Sequence, residues 1–83
     1  MIEPAQIRAA RALLAVSQAE LAKMASLSVA SIKRLETAAG LRGAAETVWK
    51  IQKALEAAGV EFIPEEAGRG AGVRFRQARS SRL

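Results

Sequence analysis

The chain has 83 residues, enough for one domain, with no cysteine and no histidine, which excludes disulfides, thiolate metal sites and imidazole chemistry and leaves catalysis only carboxylates, lysines and hydroxyls. The net charge is +5 and unevenly spread: residues 1–44 hold six Lys/Arg against three Glu, residues 45–68 two against five, and residues 69–83 five Arg and no acid. Basic ends around an acidic stretch point to an acidic partner, nucleic acid first, and the lack of any long apolar run predicts neither a membrane span nor a signal peptide but a cytoplasmic protein.

Pro4 suits the first turn of a helix, where its missing N–H costs nothing. Ile7, Ala10 and Leu14 then fall on one face, with Arg8 and Arg11 beside it, and this first helix is expected to end near Ala15 or Val16. Ser17-Gln18-Ala19-Glu20 is a capping box: the serine oxygen accepts from the N–H of Glu20 and the Glu20 carboxylate reaches back to the N–H of Ser17. The second helix that it opens has Leu21, Ala22 and Ala25 inward and stops at Ser26-Leu27-Ser28. Ser28 is an N-cap for a third helix, Val29 to Thr37, with Ile32 and Leu35 inward.

Residues 38–43 read as a loop with two glycine breakers. A fourth helix is expected over 44–58, its apolar face made by Val48, Ile51, Leu55 and Ala58, with Gly59 in the C-cap position. The period then changes. Val60–Ile63 and Val73–Arg76 are strand-forming runs joined by the glycine-rich loop 64–72, a hairpin that has to pack on the helices or pair with a second copy, because a lone two-stranded hairpin is marginal in water. Trp49, the sole tryptophan, lies one position off the apolar face of the fourth helix; its open placements are beneath this hairpin, at a subunit contact, or in the core. Residues 77–83 are polar and basic and are expected to be disordered.

Two short helices joined by a tight turn and flanked by two more can hold one helix out from the body of a domain, where it fits the DNA major groove. The stretch from Ser17 to Glu36, with Ser17-Gln18-Ala19-Glu20-Leu21-Ala22 at its start and Ser28-Val29-Ala30-Ser31-Ile32-Lys33-Arg34-Leu35-Glu36 at its end, resembles the Cro/CI-type (XRE-type) helix-turn-helix of phage repressors and bacterial regulators. The likeness covers roughly residues 5–60. One position departs: the turn residue that is usually glycine is Ser26, and serine tolerates a left-handed backbone less well.

The resemblance implies a mainly α fold, a lambda-repressor-like four-helix helix-turn-helix domain over 1–59 with a C-terminal β-hairpin over 60–76 as candidate dimerisation element. It also implies roles. Gln18 would hold a phosphate at a helix N-terminus. Val29, Ala30 and Ser31 would face base edges, the first two by apolar contact such as to a thymine methyl group. Arg34 would make a bidentate contact to guanine, Lys33 would touch base or phosphate, and Ser28, Thr37 and Arg42 would bind backbone, with Arg42 also able to approach the minor groove. Arg11 would pair with Glu36 and so fix the angle of the third helix.

The function so implied is a transcriptional regulator, with repression as the expected mode, that binds a palindromic site on double-stranded DNA as a homodimer without cofactor or metal. An antitoxin that contacts a protein partner through the hairpin, or an adapter that kept only the fold, are the alternatives. An enzyme is not expected: no nucleophile–base pair, phosphate-cradling motif or metal-ligand cluster stands in the sequence.

Overall fold

The computed structural model describes residues 1–37 and 45–78. Its elements are α1 (Pro4–Leu14), α2 (Gln18–Ala25), α3 (Val29–Thr37), α4 (Ala45–Ala57), β1 (Val60–Ile63) and β2 (Gly72–Phe75). The chain is thus mainly helical, with four helices and one antiparallel hairpin. The loop expected over 38–43, with Arg42 in it, and residues 79–83 of the basic tail lie outside the described residues.

The helix boundaries follow from local chemistry. Pro4 opens α1. α2 begins at the capping box read from the sequence, with the Glu20 N–H donating to Ser17 Oγ at 3.0 Å and the Ser17 N–H donating to the Glu20 carboxylate at 2.7 Å. Ser28 Oγ accepts from the Ser31 N–H at 3.1 Å and caps α3. α1 and α2 both end on a left-handed residue, Ala15 at φ 57° and Ser26 at φ 58°. The αL ending at Ser26 is the one the sequence placed; Ala15 carries no such mark, since alanine is chosen for the helix interior.

Side chains spaced for one face of each helix meet in a single core. Ile7, Leu21, Ile32, Val48, Ile51, Leu55 and Val60 are all fully buried, each worth roughly 1.5–3 kcal/mol over an exposed position. Ala10, Ala22 and Ala25 let the helix backbones approach closely, and Ile2, ahead of α1, closes one end. Ala58, the last residue expected on the inner face of α4, is exposed and lies just past the helix end. Gly59 comes next at φ +106°, a conformation that favours glycine and turns the chain into β1.

The hairpin packs on the helices, β2 against α1 and β1 against α4. Its register pairs Val60 with Phe75 and Ile63 with Gly72, so β2 starts one residue before the expected run and ends one residue earlier; the Arg76 N–H still donates to the Gly59 carbonyl at 2.8 Å. Buried Gln6 of α1 fastens the end of the strands next to the loop: its Nε2 donates to the carbonyls of Gly72 at 2.9 Å and Ile63 at 3.3 Å, while its Oε1 accepts from the Glu3 N–H at 2.8 Å. At the tip, Glu66 and Arg69 exchange two backbone hydrogen bonds around Ala67 and Gly68, both at positive φ. Such a pair of left-handed residues matches the twist of the strands.

Trp49 is neither core nor covered by the hairpin. It is 58% exposed on α4, with the Lys53 ammonium 5.7 Å from its ring centroid. One step of helical rotation off the Val48–Ile51–Leu55 face turns an indole outward, because that face is already filled by aliphatic side chains.

Candidate nucleic-acid interface

α3 has two distinct faces. Ile32, Leu35 and Glu36 are buried, whereas Val29, Ala30, Lys33, Arg34 and Thr37 are exposed. The exposed set runs i, i+1, i+4, i+5, i+8, which is one stripe along a helix. α3 packs on α1 and α2, so the stripe faces away from both. Lys33 and Arg34 form no salt bridge with any described residue.

The inner face is held by charge as well as by packing. Glu36 is 2% exposed, and its carboxylate receives Arg11 Nε at 2.7 Å, Arg11 Nη2 at 3.0 Å and Gln18 Nε2 at 3.0 Å. Arg11 also donates to the Val16 carbonyl at 3.1 Å, and Arg8 donates to the Glu36 carbonyl near the end of α3. Burial pushes the Glu36 carboxyl up, but the hydrogen bonds from Arg11 and Gln18 and the nearby charges of Arg11 and Arg8 outweigh it and hold the group below the usual carboxylate range. The Arg11 guanidinium is correspondingly raised by its hydrogen bond to Glu36, with burial opposing. The pair expected between Arg11 and Glu36 is therefore present, bidentate, and joins α1 to α3.

The remaining candidates divide. Gln18 stands at the start of α2, half-buried, with its amide nitrogen engaged by Glu36; its second N–H hydrogen is what remains for a phosphate oxygen. Ser28 is a cap, and its Oγ lies 3.0 Å from Ser31 Oγ. Ser31 is half-buried, and the two hydroxyls spend one hydrogen on each other, so the outward surface of the first turn is the apolar pair Val29 and Ala30. Thr37 is exposed, but its hydroxyl turns back on the carbonyls of Lys33 at 3.0 Å and Arg34 at 3.3 Å. Arg42 falls outside the described residues.

Sequence reasoning missed two parts of this site, the Gln18 link to Glu36 and the Arg8 donation to the Glu36 carbonyl, and, away from it, the Gln6 contacts to the hairpin. For Arg8 a signal existed. It precedes Arg11 by three positions, on the same side of α1, so whatever holds one guanidinium is within reach of the other. Among the described residues no group of acidic side chains is arranged to hold a metal ion, and no helix is long and apolar enough to cross a membrane. No protein-family model matches the chain, and no curated protein matches it.

Proposed function

We propose that this chain is a sequence-specific regulator that binds double-stranded DNA through a Cro/CI-type helix-turn-helix and acts as a cytoplasmic homodimer. The observation that carries the reading is the two-faced α3: an exposed stripe with Lys33 and Arg34, on a helix whose other face is fixed by Ile32, Leu35 and the Arg11–Glu36 pair. A reading helix needs both properties. Its outer side chains have to be free, and its axis has to be rigid, because bidentate contacts tolerate little misplacement.

In the proposed complex α3 enters the major groove with Val29 and Ala30 leading. Arg34 takes a guanine through its O6 and N7 acceptors, Lys33 contacts a base edge or phosphate, and Gln18 and Ser28 meet the backbone at the helix N-termini. The net charge of +5 supplies the long-range attraction. One short helix offers few base contacts, so two copies on a palindrome are required for useful specificity.

Selection from a random duplex pool and sequencing of the bound fraction tests the proposal. An enriched palindrome with half-sites about one helical turn apart is expected. Affinity for it should fall about 10³–10⁵-fold between roughly 50 and 200 mM salt if about 6–10 phosphates are contacted. Failure to enrich any sequence overturns the reading.

A further inference from the structure

The side chains on the outward stripe of α3 differ in what they offer a base. Val29 and Ala30 are exposed and offer methyl groups alone. Lys33 and Arg34, also exposed, offer N–H donors and no acceptor. Glu36 carries the sole carboxylate of α3, and it is buried and held by Arg11 and Gln18. The hydroxyls are engaged locally. Ser28 Oγ accepts from the Ser31 N–H at 3.1 Å and lies 3.0 Å from Ser31 Oγ. Thr37 Oγ1 donates to the carbonyls of Lys33 and Arg34. It stands at the far end of α3 from Val29, about 12 Å along the axis.

The first turn of such a helix has no means of reading an amine. In the major groove cytosine shows its N4 amine and adenine its N6 amine, and recognition of either needs an acceptor from the protein. Val29 and Ala30 supply none, so they meet a pyrimidine only through what stands at C5. Thymine carries a methyl group there, and cytosine a hydrogen. 5-Methylcytosine carries the methyl group of thymine at the same ring position. The two bases differ at O4 and N4, but an apolar side chain does not tell that acceptor from that donor.

We propose that α3 takes 5-methylcytosine as it takes thymine, so that methylation of a cytosine at C5 turns a weak half-site into a strong one. Methylation-dependent binding of this kind rests on the DNA-binding reading above and adds a means of regulation to it. The reaction that supplies the ligand is methyl transfer to C5 of cytosine in duplex DNA. Lys33 and Arg34 do not oppose the exchange. When 5-methylcytosine replaces thymine, the opposite base changes from adenine to guanine, which trades the N6 amine for the O6 acceptor. Donor-only side chains lose nothing by that change.

Selection from two random duplex pools tests the proposal, one pool made with cytosine and the other with 5-methylcytosine throughout. In the ordinary pool the position that faces Val29 and Ala30 should favour thymine over cytosine by about fourfold per half-site, the worth of one buried CH₂. In the methylated pool that preference should vanish. The selected duplex is then remade with cytosine, or with one 5-methylcytosine per half-site, at that position. On titration the methyl group should raise affinity about fourfold per half-site. The variant V29S/A30S, altered at two exposed positions, should bind these two duplexes alike, and unchanged thermal melting checks that its fold is intact. No thymine preference in the ordinary pool, the same preference in both pools, or a methyl gain that survives in V29S/A30S overturns the proposal. Each of those results with an enriched palindrome leaves the DNA-binding reading standing. Failure to enrich any sequence from either pool overturns that reading and this proposal with it.

Discussion

The Glu36 carboxylate of α3 is clamped by the Arg11 guanidinium of α1 through two parallel hydrogen bonds, Nε to Oε2 at 2.7 Å and Nη2 to Oε1 at 3.0 Å. Glu36 is 2% exposed, while Arg11 keeps 23% of its side chain in contact with solvent. A pair so placed contributes little net stability, because two charges had to leave water, but removal of one partner strands the other. Arg11→Ala should therefore cost about 3 kcal/mol, at the low end of the range for broken buried pairs because Arg8 and Gln18 still face Glu36. In a domain of this size that is a fall in melting temperature of roughly 12–24 °C. The double variant Arg11→Met, Glu36→Leu should lose clearly less. Melting curves for the wild type, Arg11→Met, Glu36→Leu and the double variant close the cycle and measure the coupling, and an additive cycle would show that the pair does not act as a unit.

The same pair sets a pH dependence with a definite sign. The folded Glu36 carboxyl is held low, so its contribution is fully present above the unfolded value of about 4.3 and is lost as pH falls through the lower folded value. Glu20, held low by its hydrogen bonds to Ser17, and Glu61, held low by its hydrogen bond to Arg74, act in the same direction. Unfolding titrations from neutral pH downward should show the wild-type chain losing more stability below about pH 4.3 than Glu36→Gln does. Parallel curves for the two proteins would contradict the assignment.

Much of this arrangement was legible from residue spacing. The four amphipathic stretches, the Ser17–Glu20 box, the Ser28 cap and the two strands are each fixed by side chains within a few positions of one another. Local chemistry is what a sequence displays directly. The Arg11–Glu36 pair, 25 positions apart, came only through resemblance, since nothing local ties those two charges. Gln6 was invisible for the same reason: its acceptors lie 57 and 66 positions away, and a helical glutamine with no local partner looks like solvated surface. Trp49 misleads in the opposite sense, because size and apolarity argue for burial while its position on the helix turns it out.

Gln6 gives a test of how the hairpin is held. Gln6→Leu keeps the volume but leaves the carbonyls of Ile63 and Gly72 and the Glu3 N–H without that partner, a loss of about 1–3 kcal/mol. The loss should be concentrated in the hairpin. Amide hydrogen exchange should accelerate in β1 and β2 more than in α2 and α3. Uniform acceleration across the chain would mean that the hairpin and helices unfold as one unit and that Gln6 is no separate fastening.

Of the three described non-glycine residues in the left-handed region, the two that end helices offer a gain. Ala15 sits at φ 57° and Ser26 at φ 58°, both exposed. An L-residue in that conformation costs about 1–2 kcal/mol, partly offset in a glycine variant by the greater freedom of its unfolded chain, about 0.5–1 kcal/mol. Ala15→Gly and Ser26→Gly should each stabilise by up to about 1.5 kcal/mol, and the two should add, since they cap different helices. Denaturant midpoints measure this. A destabilised Ser26→Gly would show that the serine side chain makes a contribution at the turn beyond its backbone conformation.

The apolar first turn of α3 makes a prediction about the DNA itself. Val29 and Ala30 are exposed, and Ser31 is half-buried with its hydroxyl against Ser28, so the leading contact in the proposed complex is made by methyl groups. Arg34 lies one turn after Ala30, and its side chain leans back over that turn, so a thymine methyl and a guanine should be read within about a base pair of each other. Replacing that thymine by deoxyuridine in the selected duplex deletes the methyl and leaves every hydrogen-bonding group in place. Binding should weaken about fourfold per half-site, the equivalent of one buried CH₂ at about 0.8 kcal/mol. Ala30→Ser or Val29→Ser should reduce this penalty, while Arg34→Ala should instead relax the preference for guanine by roughly 1–3 kcal/mol. Deoxyuridine tolerated at every thymine of the half-site would mean that α3 does not read the groove through Val29 and Ala30.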